Sequence, residues 1–234
     1  AIANRMDAQA RGMNVAIRNA NDGISLSQVA EGALGKVTDM LQRMRELAVQ
    51  AANASNTTTD RTSLNAEFQQ LAQEVDRTLS STRFNGQAIL AGSAGSLQFQ
   101  IGANNAVTDQ LTVTTTNMAT NTTITAVTTA STAVISGTNA TNANAMITAL
   151  DTALDTVNSE RATYGAIQNR FEAVIANLAI ASENQTAARS RIMDADFAKE
   201  TAALTRAQIL QQAGTAMLAQ ANQVPQQVLQ LLRN

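Results

Sequence analysis

Acid-base or metal chemistry in this chain would have to rest on carboxylates, because its 234 residues include neither histidine nor cysteine. Without imidazole the usual neutral-pH general base is gone, and so is the commonest zinc or iron ligand. Without thiol there are no cysteine nucleophiles, disulfides or thiolate metal sites, and the fold suits any redox compartment. Two carboxylate pairs remain, Asp194 with Asp196 and Asp151 with Asp155. The first pair has the chemistry for calcium binding or proton transfer. No third acid is clustered with it, however, and it falls where one helix should stop and the next start, a position at which Asp is favoured as a cap. The second pair is one helical turn apart and reads as a hydrated face. The glycines form neither GxxxxGK[ST] nor GxGxxG, so no phosphate cradle is visible. From these missing parts we expect no cofactor, no metal and no enzyme.

The elements around these acids are long helices. Every seventh position from Ala143 reads Ala143, Leu150, Val157, Tyr164, Phe171, Leu178, with Ile147, Leu154 and Ile175 alongside. Such a repeat keeps one stripe of a helix against a partner along its whole length. The register slips near Gln185, and a second helix continues as Leu210, Met217, Val224, Leu231, with Ala207, Gly214, Ala221 and Val228 beside it. Between Arg206 and Arg233 lie 26 uncharged residues, 14 of them apolar and 8 glutamine. An ordinary surface helix carries charges on its wet face, whereas glutamine can be buried if its amide is paired. A neutral rim therefore suits a helix enclosed on all sides, and Leu210, Met217, Val224, Val228 and Leu231 are the expected assembly contacts. A half-exposed glutamine-rich helix is the alternative. A membrane-surface helix would want Lys or Arg on its polar face.

Residues 1 to about 53 carry a third helical pattern, with Ala30, Leu34, Val37, Leu41, Met44, Ala48 and Ala51 on one face. Asn21-Asp22-Gly23 is a turn signal, and Gly12, Gly32 and Gly35 either mark close approach of a neighbouring backbone or are tolerated weak points. The first residues show no cap and read as mid-helix, so the natural chain is expected to begin earlier. Asn53 to Asp60 breaks the pattern and offers Thr or Asp as a new cap. Leu64, Phe68, Leu71, Val75 and Leu79 then make a second helix that should fold back antiparallel, ended by Arg83-Phe84-Asn85-Gly86. Leu97, Phe99, Ile101 and then Leu111, Val113 alternate with polar residues, as in a hairpin. From Thr112 to Thr141 about half the residues are Ser or Thr. That stretch suits edge strands, a poorly ordered surface insert or O-linked sugar acceptors.

A composition with 3% aromatic residues and no Trp favours small residues packed between helices over a broad globule. The expected fold is mainly α, an elongated antiparallel helical bundle or coiled-coil rod with a small β-hairpin region and a Thr-rich insert. Its segments are core helices over 1-82, hairpin and insert over 83-142, a long helix over 143-193 and a terminal assembly helix over 194-234. A net charge of −2 with no basic cluster argues against nucleic acid. No run of 18 apolar residues is present to span a membrane, and no signal-peptide core is seen.

Five segments resemble the signature stretches of bacterial flagellins. They are RNANDGISLSQVAEGAL (Arg18 to Leu34), LQRMRELAVQAAN (Leu41 to Asn53), RFNG (Arg83 to Gly86), ARSRI (Ala188 to Ile192) and RAQILQQAGTAMLAQANQVPQQVLQLLR (Arg206 to Arg233). Only about Thr115 to Asn142 is unmatched, where that family varies most. The resemblance implies a subunit of the extracellular helical filament, exported unfolded through the flagellar channel, with a further N-terminal helix ahead of Ala1 pairing with the C-terminal one. Its implied partners are other flagellin subunits, an export chaperone, and cap and junction proteins. It also implies recognition by the flagellin-sensing Toll-like receptor of the host. Matched residue by residue, that recognition falls on Gln42, Arg43, Leu47 and Gln50 of the first helix and Glu67 of the second. An arginine fork beside an apolar anchor is a pairing found at binding hot spots, although the same residues suit subunit packing. Rival readings are a hook-filament junction protein, a trimeric coiled-coil adhesin, which would sustain strict heptads, and a surface hydrolase, which lacks its acids and bases.

Overall fold

The computed structural model describes residues 1-92, 95-194 and 197-231, with side chains described over 1-92, 95-194 and 199-221. The chain divides into two compact units, Ala1–Thr186 and Ala187–Asn234.

In the first unit α1 (Ile2–Ala52) runs unbroken for 51 residues. Its expected stripe, Ala30, Leu34, Val37, Leu41, Met44, Ala48 and Ala51, is completely buried. The Asn21-Asp22-Gly23 turn signal is overridden. Gly23 lies so close to the Phe171 ring that an added Cβ would stand 2.4 Å from it, so the glycine serves packing and not a turn. Gly12 likewise admits Ala103, 2.8 Å from where its Cβ would be, whereas at Gly32 and Gly35 a Cβ meets nothing within 4 Å. Two of the glycines thus answer close approach, and two do not.

α2 (Thr58–Ser81) starts at a capping box made by Thr57 and Asp60 and folds back along α1. Arg61, 4% exposed, fixes the connection. Its guanidinium donates to the Ala51 and Asn53 carbonyls at 2.8 and 3.1 Å and to that of Thr138 at 3.4 Å. A buried cation is tolerable there because the last carbonyls of α1 form the negative end of a helix dipole.

Two antiparallel hairpins follow. β1 (Arg83–Phe84) and β2 (Gln87–Ala88) flank Asn85 and Gly86, whose φ angles of 48° and 80° make the tight turn that Asn-Gly favours. β3 (Ser96–Gln100) pairs with β4 (Gln110–Thr114) in the register Phe99 to Leu111, joined through a short 3-10 turn, Val107–Asp109. This is the hairpin expected from the alternation.

The Thr-rich insert is neither further strands nor an unpacked loop. It forms α3 (Thr122–Thr128), capped by the Asn121 side chain accepting from the Thr123 amide at 3.0 Å. Met118, Ile124, Val127, Ala133 and Ile135 are buried in the shared core. Asn65 and Gln69 of α2 bind the backbone of Ile135 and Ala133. These few apolar anchors outweigh the extended preference of threonine, whose hydroxyls turn back on local backbone, as Thr128 does on the Ile124 carbonyl at 3.1 Å.

α4 (Thr141–Met193) runs antiparallel to α1, and its seven-residue line is buried from Ala143 to Phe171. Arg45 to Asp151 at 2.6 Å, Gln168 to Glu31 at 3.0 Å and Gln185 to Gln9 at 2.6 Å mark the pairing. The expected 1-82 and 83-142 segments, with α4 as far as Thr186, therefore share one unit. The second unit contains α5 (Phe197–Leu231). The architecture is the mainly helical antiparallel bundle with small sheets that the sequence implied.

Candidate recognition and assembly surfaces

Folding α2 back on α1 brings Arg43 to Glu67, 24 residues away in sequence. The Arg43 Nε and one terminal nitrogen donate to Glu67 Oε1 at 3.0 and 2.8 Å, and the other terminal nitrogen donates to Glu46 Oε2 at 2.9 Å. Hydrogen bonding to Glu46 first, then to Glu67, raises the guanidinium pKa above its ordinary value. All three side chains are about half exposed or more, so the network is a specific arrangement of donors and acceptors and adds little stability.

Gln42 and Gln50 are exposed and line a shallow groove with Arg45, Glu46 and Val49. Leu47 does not join them. It is 1% exposed, packed into the core, and cannot act as the surface anchor expected of it. The spacing explains why: Leu47 is three residues after Met44 and four before Ala51, on the buried stripe. Val49, 50% exposed, is the apolar side chain of this surface. Sequence reasoning missed it and Glu46, although Val49 is an apolar residue on an otherwise polar face.

The second surface is α5. Leu204, Ile209, Leu210, Met217 and Leu218 are between 58% and 69% exposed. Leu210 and Met217 thus stand open on a helix that carries no charge beyond Arg206. The side chains of Val224, Val228 and Leu231, the other expected contacts, lie outside the described residues. So does Asp196 of the carboxylate pair, while the Asp194 backbone N–H continues the end of α4 by donating a hydrogen bond to the Ser190 carbonyl at 2.7 Å. Asp151 is engaged by Arg45.

Nothing described is poised for catalysis. The largest pKa perturbation among the described groups is that of the Tyr164 phenol, pushed up by burial and then by the charge of Glu160, which keeps it protonated. No group of three or more potential metal ligands occurs among the described residues, and no described helix is long and apolar enough to cross a membrane.

A helical bundle holding a charged cross-helix network, together with a helix whose apolar side chains lie open, is an arrangement suited to packing against other chains. Residues 1–95 match the bacterial flagellin N-terminal helical region and residues 147–232 the bacterial flagellin C-terminal helical region. A flagellin of Halalkalibacterium halodurans is 48% identical over 233 residues, spanning 100% of this chain and 83% of that protein. The crystal structure of Bacillus cereus flagellin is similar at a TM-score of 0.58 and 34% identity, covering 69% of this chain and 88% of that one. A structure assigned as a flagellar hook-associated protein of Vibrio parahaemolyticus reaches a TM-score of 0.68 over 81% of this chain and 95% of that one, but at 12% identity it shares the fold alone. The chain belongs to the bacterial flagellin family. It is a structural subunit of the extracellular flagellar filament, polymerising with other flagellin subunits, and it is not an enzyme.

Proposed function

We propose that the chain is secreted and self-assembles into the motility filament through α5, with Leu210, Met217, Val224, Val228 and Leu231 as subunit contacts. The observation that carries this reading is a 35-residue helix with Leu210 65% and Met217 69% exposed, whose sequence from Ala207 onward lacks charge. Exposed apolar surface of this kind seeks a partner, and a neutral rim permits enclosure on every side. Contacts between unlike patches of identical subunits do not close on themselves and so extend without limit. Before assembly such a helix is marginal in water, which supports binding by an export chaperone, and at the filament's ends by cap and junction proteins. The test is Met217→Glu in the whole subunit. A buried unpaired carboxylate costs several kcal/mol per copy, so electron microscopy should show secreted monomer without filaments. Normal filaments would refute the assignment.

A second reading concerns the Arg43 network. Gln42, Arg43, Gln50 and Glu67 form an exposed charged patch suited to a host Toll-like receptor, with Val49 in place of Leu47 as the apolar contact. Arginine is among the side chains enriched at binding hot spots. Arg43→Ala monomer of unchanged helicity should activate the receptor at least about tenfold less, the loss expected for truncating a hot-spot side chain. Undiminished activation would remove the assignment.

A further inference from the structure

The chain has six aromatic residues, five Phe and one Tyr. Phe68, Tyr164 and Phe171 are completely buried. Among the described side chains the two aromatics left partly exposed, Phe84 and Phe99, both line one groove of the first unit. The groove measures about 630 Å³. Leu26 and Leu97 extend its apolar lining, and Asp22 and Gln87 are exposed members of the same wall. Phe99 is held by an edge-on contact with Phe171, ring centroids 5.3 Å apart and planes at 81°, so it is a rigid surface. Phe84 stands in β1, paired with Gln87 across the tight β1-β2 turn. Within the described residues the Asp22 carboxylate has no hydrogen-bond or ion-pair partner, and Arg18, one turn before it on α1, does not reach it.

We infer that this groove receives an arginine side chain from a neighbouring copy of the chain in the filament. Two aromatic rings lining one groove with an unpaired carboxylate suit a guanidinium, which stacks on ring faces and donates to the carboxylate in a planar fork. The chain's own cations fit: all but Lys36 and Lys199 are arginines, and Arg5 and Arg170 are exposed without a described ion pair. A second copy is the occupant because a polymer built from unlike contacts sets a groove on one subunit against a different patch of the next. Partly exposed aromatics and arginine are also the residues that dominate interface energetics. The inference rests on the filament-subunit reading.

The cysteine-free sequence makes one introduced thiol a clean reporter. In the whole subunit carrying Gln87→Cys, maleimide labelling should be at least about tenfold slower in filaments sheared from cells than in dispersed monomer, as burial in a solvent-excluded contact demands. Asp22→Asn filaments should dissociate at a lower temperature than the unsubstituted ones. Equal labelling in filament and monomer would overturn the inference while leaving the filament reading intact. Slow labelling already in the monomer would place a segment of the same chain in the groove and overturn it too. Unchanged heat dissociation of Asp22→Asn filaments would exclude the arginine. Failure of the unsubstituted subunit to form filaments would overturn the filament reading and this inference together.

Discussion

Thr57 and Asp60 divide the work of starting α2. The Thr57 hydroxyl accepts from the Asp60 amide at 3.2 Å, and the Asp60 carboxylate accepts from the Thr57 amide at 2.9 Å and from its hydroxyl at 2.7 Å. The side-chain hydrogen bond from Thr57, followed by the backbone one, holds the Asp60 pKa below its ordinary value. A carboxylate whose pKa is depressed by folding stabilises the native state fully above its unfolded pKa, and that contribution is lost as pH falls through the folded value. Thr57→Ala should therefore cost about 1 kcal/mol at neutral pH. The gap from the unsubstituted protein should narrow as acid protonates Asp60, because the hydroxyl-to-carboxylate bond that only Thr57 makes then loses its charged acceptor. Urea unfolding of both proteins across pH measures this, and a gap independent of pH would show that the two bonds are not coupled.

Helices were legible wherever a period ran long enough to choose a face. The α1 stripe from Ala30 to Ala51 and the α4 line from Ala143 to Phe171 needed only counting, because burial repeats every three or four residues. α3 spans seven residues, too few to show a period, and its threonines spoke for strand until tertiary anchors at Ile124 and Val127 decided otherwise. Gly23 read as a turn because its reason for being glycine, the Phe171 ring, comes from 148 positions further along the chain. The proposed recognition surface was half legible. Arg43 and Glu67 meet only once the α1-α2 turn is formed, while Leu47 obeyed a helical period that already assigned it inward. The groove at Phe84 and Phe99 joins α1, the β1-β2 turn and β3, and no local pattern links those three.

Across the first unit as a whole, apolar burial is concentrated toward one end of the α1-α4 pair. Between Leu26 and Ala51 α1 buries leucines, a valine and a methionine, but between Ala3 and Ala20 its buried residues are alanines alone. On α4 the last buried residue is Phe171. Beyond it the helices meet through polar contacts such as Gln185 to Gln9 at 2.6 Å and Ser182 to Asn14 at 3.4 Å. An alanine removes much less apolar area from water than a leucine, and exposed amide contacts contribute little net stability. The pair should therefore open locally at residues 1-19 and 172-186 without unfolding the rest. Hydrogen exchange on the monomer should be about a hundredfold faster there than in residues 30-51 and 143-171, the ratio produced by about 3 kcal/mol in opening free energy. Where neighbouring subunits cover this end in the filament, the ratio should shrink. Even protection along α1 in the monomer would mean that the alanine-lined pairing is as strong as the leucine-lined core, and the unit would then behave as one cooperative block.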